Sequence, residues 1–339
     1  MPDISVRTAT SEYIVRIGAG VRNDIDEFLE SEVRNVVHCV DETLFNSPLT
    51  AIAQGNHRIS VVSGEANKSF ASVEKLCREF ARLQVQRTDL IVAIGGGVTT
   101  DVVGLAASIY NRGVDVIHVP TTLLGQVDAA IGGKTAVNIP EGKNLVGTFH
   151  QPLAVLCDTD FLASLPEREF ISGLGEVCKC GLVIGHSLKD VGTEEMIAEC
   201  VQWKADIVSV DERESGQRAI LNYGHTLAHA LESSGVPVTH GEAVGVGLCF
   251  AAYLAEVLGR IDIARRDAIV AEVASYGLPT SVSTAVDIEV LVDRMSRDKK
   301  RRELVADELT FVLDGPQGVE VVSEVPTQFV RDTLKEWLA

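Results

Sequence analysis

The chain has 339 residues, 46% of them apolar and 23% charged, and carries a formal net charge of −18. That composition provides a large buried core, excludes a disordered chain, and sets two domains of ordinary size as the expectation. The negative balance argues against nucleic acid and anionic membrane partners, whose sequence-independent attraction needs basic surface.

No apolar run approaches the roughly 20 residues of a membrane-spanning helix, and residues 1–6 lack the basic and apolar regions of a signal peptide. The 7 cysteines, at positions 39, 77, 157, 178, 180, 200 and 249, are odd in number and scattered. A reducing cytoplasm is therefore expected rather than a disulfide framework.

In chain order, 13–17, 35–40 and 58–62 read as short strands and 70–83 as an amphipathic helix. A buried strand at 89–94 runs directly into Gly95, Gly96 and Gly97 and an apolar helix, and 114–119 is another apolar strand. This alternation predicts a mostly parallel sheet flanked by helices. From about Pro166 the apolar period becomes 3.6, with helices predicted at 168–182, 194–210, 219–233, 241–258 and 263–275. Two strand-like runs, 308–313 and 318–322, flank Asp-Gly-Pro-Gln and predict a hairpin. The expected architecture is an α/β N-terminal domain with a mostly parallel sheet over 1–165, followed by an all-helical C-terminal domain over 166–339.

Several residue groups carry chemistry. The strand, glycine run and helix start at 95–97 let backbone amides approach a phosphate, which favours a dinucleotide pyrophosphate, although the spacing also suits a plain tight turn. Asp41, at the end of the earlier strand 35–40, is placed as a ribose or adenine hydroxyl partner or as a helix or turn cap. Residues 120–144 read as a functional loop region, in which Lys134, Lys143 and Asn144 would bind carboxylate or phosphate or belong to a solvated loop. Glu176 has Lys179 one helical turn later. His225 and His229 are four apart, so on a helix they share a face, and His240 returns beyond a Gly-Val-Pro break as a further ligand for a zinc-like ion. A carboxylate with two imidazoles is the donor set of an open, catalytic metal site. Lys204, Arg218, Asn222 and the Lys299-Lys300-Arg301 run add cations and donors to an otherwise acidic chain.

These stretches resemble, in order and across nearly the whole chain, the 3-dehydroquinate synthase family within the sugar phosphate cyclases. The resemblance rests on Gly64-Glu-Ala-Asn-Lys68, Gly95-Gly-Gly-Val-x-x-Asp101, Arg112-Gly, Val119-Pro-Thr-Thr-Leu-Leu, Gly132-Gly-Lys-Thr-Ala-Val-Asn, Gly142-Lys-Asn, Glu176-Val-x-Lys179, Leu221-Asn-x-Gly-His-Thr-x-x-His229, His240-Gly-Glu and Asp298-Lys-Lys. It implies an NAD-binding α/β domain, a helical domain that holds the metal, a phosphorylated anionic substrate and a homodimer. Glu176, His225 and His240 would hold a divalent ion, usually zinc with cobalt as a substitute, while His229 would face the substrate. Asp41, Glu65, Lys68, Gly96, Gly97, Asp101, Thr121 and Thr122 fall where the family binds NAD, with Gly95, Val98, Lys134, Lys143, Phe161 and Ser164 completing that set. Asp128, Lys134, Lys143, Asn144, Lys179, Lys204, Arg218, Asn222 and Lys299 or Lys300 fall where it binds substrate, and Arg112 matches an arginine that reaches the partner's substrate phosphate.

The implied reaction begins with transient oxidation of a secondary alcohol by NAD, which acidifies the neighbouring C–H and lets phosphate leave. Hydride then returns, the ring opens, and an intramolecular aldol step closes a carbocycle with no net redox change. Thr99-Thr100, Asn138-Ile-Pro and Leu227-Ala-His depart from the usual family pattern without removing any residue assigned a role. The expected product is 3-dehydroquinate, with aminodehydroquinate synthesis as the alternative. A metal-dependent polyol dehydrogenase and a non-catalytic nucleotide or metal binder rank below both.

Overall fold

The computed structural model describes residues 3–29, 35–51, 57–214, 216–282, 286–298 and 308–339. Packing divides the chain into two units, Met1–Pro166 with Gly192–Arg213, and Glu167–Val191 with Glu214–Ala339.

The first unit is built on seven strands: β1 (Asp3–Arg7), β2 (Glu12–Gly18), β3 (Val36–Asp41), β4 (His57–Val61), β5 (Leu90–Gly95), β6 (Asp115–Pro120) and β9 (Ala154–Asp158), in spatial order β1-β2-β9-β6-β5-β3-β4. Only β1 pairs antiparallel, with β2; the remaining pairs are parallel. Successive side chains leave a strand on opposite faces, and both faces here are apolar. One carries Val37, Cys39, Ile91, Ala93 and Val116 against helices α1 (Phe70–Arg82) and α2 (Gly97–Ile109). The other carries Val36, Val40, Leu90, Val92, Ile94 and Ile117 against Val21, Ile25 and Phe161. Burial on both sides is why 90–94 reads as an unbroken apolar run and 114–119 as a near-continuous one.

The region 120–144, expected as loop, is structured. A π-helical turn spans Gly125–Ala129, and β7 (Lys134–Ile139) pairs antiparallel with β8 (Gly142–Phe149) in a hairpin. The alternation in β7 is visible only once Thr135 and Val137 are seen to be buried. The expected break at 165/166 falls beside Pro166, where the first unit's main segment ends. The stretch 192–213 needs correction: α4 (Thr193–Val210), which follows α3 (Glu167–Ile184), packs on β1, β2 and the 125–129 turn and belongs to the first unit.

In the second unit, α6 (His240–Val257) is buried along almost its whole length and is packed by α3, α5 (His225–Ser233), α7 (Ile263–Ser275), α9 (Thr327–Leu338) and β10 (Glu308–Gly315). α8 (Ile288–Asp298) packs on α5 and α9, and β10 pairs with β11 (Gly318–Pro326) as the predicted hairpin. The predicted helix 219–233 is broken. A 3₁₀ stretch Gln217–Asn222 ends at Tyr223, Gly224 takes the left-handed conformation at φ 76, which L side chains rarely adopt, and a new helix starts at His225.

Candidate active site

Two polar clusters hold most of the expected functional residues, one in each unit. The first lies at the carboxyl ends of β3, β5 and β6, where open parallel sheets bind ligands. Helix α2 starts directly after β5 with Gly96 as its N-cap and no side chain capping its first turn, so amides of the first turn and the helix dipole face outward from the strand end. Thr121 is buried and donates its backbone N–H to the Gly95 carbonyl at 3.0 Å; Thr122 Oγ1 accepts from Gly125 N at 3.1 Å. Asp41 accepts from Thr43 N (3.0 Å), Thr43 Oγ1 (2.7 Å) and Ser63 Oγ (2.5 Å) on one oxygen, and from Thr99 Oγ1 (3.2 Å) on the other.

Around the 64–68 turn, Lys68 forms an ion pair with Asp101 and donates to Asn144 Oδ1 at 2.5 Å. Asn138 accepts from Asn144 N at 2.9 Å and donates to Glu65 Oε1 at 2.8 Å, while Lys143 Nζ lies 3.5 Å from the same oxygen. The tip of the β7–β8 hairpin is thus tied to that turn, with Asn144 in the left-handed region at φ 55. Burial pushes the Asp101 carboxyl up to about 6, against the pull of Lys68. Lys204, itself buried, donates to both the carboxylate (2.6 Å) and the carbonyl (2.5 Å) of Asp128. Lys134 and Arg112 are exposed, Arg112 in a turn at φ 66. Phe161 is a core residue, and Ser164 donates to its carbonyl at 3.0 Å; the described contacts do not bring either side chain to the strand-end cluster.

The second cluster joins three helices. Glu176 sits on α3, His225 opens α5 and His240 opens α6; one donor atom from each lies within 4.8 Å of the others. Glycines make this approach possible. A Cβ on Gly241 would sit 1.8 Å from the Ser172 carbonyl oxygen, and one on Gly175 would sit 2.6 Å from Gly241 Cα, so α3 and α6 touch backbone to backbone beside Glu176 and His240. The start of α6 is fixed by a capping box between Thr239 and Glu242, and Glu242 in turn accepts from Arg168 Nη2 at 2.8 Å.

Burial pushes the His225 imidazole down, which favours its neutral form. Its Nδ1 lies 3.0 Å from the Tyr223 carbonyl, which can only accept, so the ring's single proton is there. Nε2 is left with a lone pair 3.3 Å from Glu176 Oε1. Two acceptors facing one another repel unless a cation lies between them. His240 Nε2 is 3.1 Å from the same carboxylate oxygen, and Glu232 Oε2 is 3.5 Å from its Nδ1. Burial would raise Glu176, but the Lys179 ammonium, ion-paired with it, holds it well below the usual carboxylate range. His229 does not join the converging group; its ring centroid is 5.2 Å from that of His225. Helical spacing by itself would have paired His225 with His229, whereas the atoms that meet are those of Glu176, His225 and His240.

Arg218 is 1% exposed, and Asn222 Nδ2 donates to Glu214 Oε1 at 2.9 Å. Lys299 and Lys300 lie outside the described residues. Four participants were given no role from the sequence: Asn138, Glu214, Tyr223 and Glu232. Glu232 carried a signal, being seven residues after His225 on the same helical face; the carbonyl of Tyr223 did not, since it depends on the break at Gly224.

Family models match both parts of the chain, 3-dehydroquinate synthase N-terminal over residues 58–172 and 3-dehydroquinate synthase C-terminal over 173–301. A protein of Amycolatopsis mediterranei (strain S699), provisionally named aminodehydroquinate synthase, is 48% identical over 98% of this chain and 93% of its own length. The 3-dehydroquinate synthase of Nitrobacter winogradskyi is 39% identical over 99% of this chain and 96% of its own. A crystal structure of 2-deoxy-scyllo-inosose synthase complexed with carbaglucose-6-phosphate, NAD+ and Co2+ superimposes with a TM-score of 0.88 at 25% identity, covering 99% of this chain and 100% of that one. Full-length identity at this level, the two family models and a shared fold agree: the chain belongs to the 3-dehydroquinate synthase family, whose members are phosphate-eliminating lyases.

Proposed function

We propose that this chain is an NAD- and divalent-metal-dependent cyclase that converts 3-deoxy-arabino-heptulosonate 7-phosphate to 3-dehydroquinate, with loss of phosphate and no net redox change. The observation that carries the reading is the meeting of Glu176, His225 and His240, one donor atom from each lying within 4.8 Å of the others. That donor set fits a zinc or cobalt ion with positions left open for substrate. When bound, NAD supplies reversible hydride transfer at a secondary alcohol and the ion supplies Lewis-acid polarisation of the oxygen there.

The chain's own residues do the rest. Lys179, paired with Glu176, keeps that carboxylate ionised and oriented. His229, one turn from His225, contacts substrate without holding the ion. Arg218 and Asn222, with Lys134, Lys143, Asn144 and Lys204, bind phosphate and carboxylate through charge-assisted hydrogen bonds; Asp128 orients Lys204. Lys299 and Lys300 belong to the same substrate set. Asp41, Glu65, Lys68, Gly95, Gly96, Gly97, Val98, Asp101, Thr121 and Thr122 form the NAD site. Arg112 serves the partner's site in a homodimer, and the protein works in the cytoplasm. No described helix is long and apolar enough to cross a membrane.

A second reading, cyclisation of the amino analogue to aminodehydroquinate, is favoured by the 48% identity to the Amycolatopsis protein. Turnover by metal-replete protein with catalytic NAD, offered each substrate separately, decides between them while phosphate, NADH and carbocycle are followed. Phosphate and 3-dehydroquinate without NADH accumulation support the first reading. Preference for the amino substrate supports the second, and steady NADH production on polyols would overturn both.

A further inference from the structure

Each of the three converging groups in the second unit has a neighbour that holds it. Glu176 is paired with Lys179, and His225 donates Nδ1–H to the Tyr223 carbonyl at 3.0 Å. His240 is braced differently: its Nε2 lies 3.1 Å from Glu176 Oε1, and on the opposite edge of the ring Glu232 Oε2 lies 3.5 Å from Nδ1. Among the described residues, Glu232 is the only carboxylate that braces an imidazole of the group from behind. It sits on α5 seven residues after His225, two turns on and on the same face. Its side chain is 11% exposed. Helix α5 therefore carries both one converging imidazole and the brace of the other.

We propose that Glu232 is a positioning residue for the divalent ion, fixing the ring plane of His240 so that Nε2 stays aimed at the point shared with Glu176 and His225. The inference rests on the reading that these three residues hold the ion. An imidazole turns about its last side-chain torsion, a broad and roughly two-fold one, and only an anchor at Nδ1 makes one of its orientations the resting one. A carboxylate anchor also makes the opposite nitrogen a stronger donor to a cation. Glu232 itself lies on the far edge of the ring from that point, so it acts through His240 and does not join the ligand set.

The test is titration of metal-free protein with Zn2+ and with Co2+, the latter followed by its visible absorption, which reports coordination geometry. Glu232→Ala should bind both ions about 10- to 100-fold more weakly and give an altered Co2+ spectrum. Glu232→Gln, which keeps volume and an acceptor oxygen, should fall between, at least about threefold weaker than wild type. A purely structural role would lower the melting temperature without changing the Co2+ spectrum of the folded fraction. Wild-type affinity and spectrum in Glu232→Ala overturn the proposal, and should that variant not fold, the same result in Glu232→Gln does so. Glu176→Gln separates the two levels: if it binds Zn2+ as tightly as wild type, the ligand reading itself has failed, whatever Glu232 does.

Discussion

The two polar clusters are built from opposite materials. In the first unit, strand ends, a helix start and a hairpin tip present groups that range from buried Lys68 and Thr121 to exposed Lys143 and Asn144 around backbone amides, with Gly96 and Asn144 supplying the turns. In the second, side chains of three helices meet at a point, Glu176 and His225 buried and His240 half-buried, and their meeting depends on backbone contact at Gly175 and Gly241. A site made of strand ends tolerates small shifts, because each amide acts locally. A site made of converging helices does not, because one displaced helix takes a donor atom out of the group.

The largest effect should come from breaking the convergence. His225→Ala is expected to keep the fold, lose the bound divalent ion and lower turnover by about a thousandfold or more. Metal analysis of the purified variant checks the first part, and full metal content would show that the ion is held elsewhere. Gly241→Ala tests the backbone contact. Its Cβ would meet the Ser172 carbonyl oxygen at 1.8 Å, whereas a Cβ on Gly96 would meet only the Thr122 methyl at 3.1 Å. Gly241→Ala should destabilise by about 1–3 kcal/mol and weaken metal binding, with Gly96→Ala clearly milder in thermal melts. Equal losses would erase the contrast between the clusters.

The difference in construction also explains what the sequence revealed. The glycine run at 95–97 is local, so the strand-turn-helix was readable from neighbouring residues. Burial on both faces made β3, β5 and β6 legible as apolar runs, while β1, with only Ile4 and Val6 inward, was too short to stand out. Hairpin β7–β8 was missed because β8 is largely exposed and its apolar Leu145 and Phe149 face outward. In the helical unit, spacing identified His225 and His229 as a pair but could not bring Glu176 from another helix; only the family resemblance did. The break at Gly224 was hidden because Leu221, Leu227 and Leu231 continue an acceptable helical period across it.

A pH experiment sharpens the comparison within the first unit. The Asp101 carboxyl stands at about 6, raised above its ordinary 3.8 by burial and held from going higher by Lys68. A raised carboxyl favours folding fully below 3.8, and that contribution is lost as pH rises through about 6. Lys68→Met removes the compensating cation, so Asp101 should titrate above 6, as read from its carboxyl carbon shift. The variant should be less stable than wild type at pH near 8, and the gap should narrow below about pH 6. A gap independent of pH would mean that Lys68 acts through Asn144 and packing rather than through Asp101.

The smallest effect is expected at Thr99, where this chain departs from the usual family pattern. Its hydroxyl donates to Asp41 Oδ2 at 3.2 Å, while the other carboxylate oxygen already accepts from Thr43 and Ser63. Its side chain also packs beneath Gly95, where an added Cβ would lie 2.6 Å from Thr99 Cβ. Thr99→Val keeps that packing and removes one donor from Asp41, a change of about 1 kcal/mol, or roughly fivefold in NAD affinity. Thr99→Ser, which keeps the hydroxyl, should retain most of the affinity. Calorimetric titration with NAD reads both variants without any need for turnover. If Thr99→Val binds NAD as wild type does, Asp41 is held well enough by Thr43 and Ser63 alone, and the first cluster is even more tolerant than its backbone construction implies.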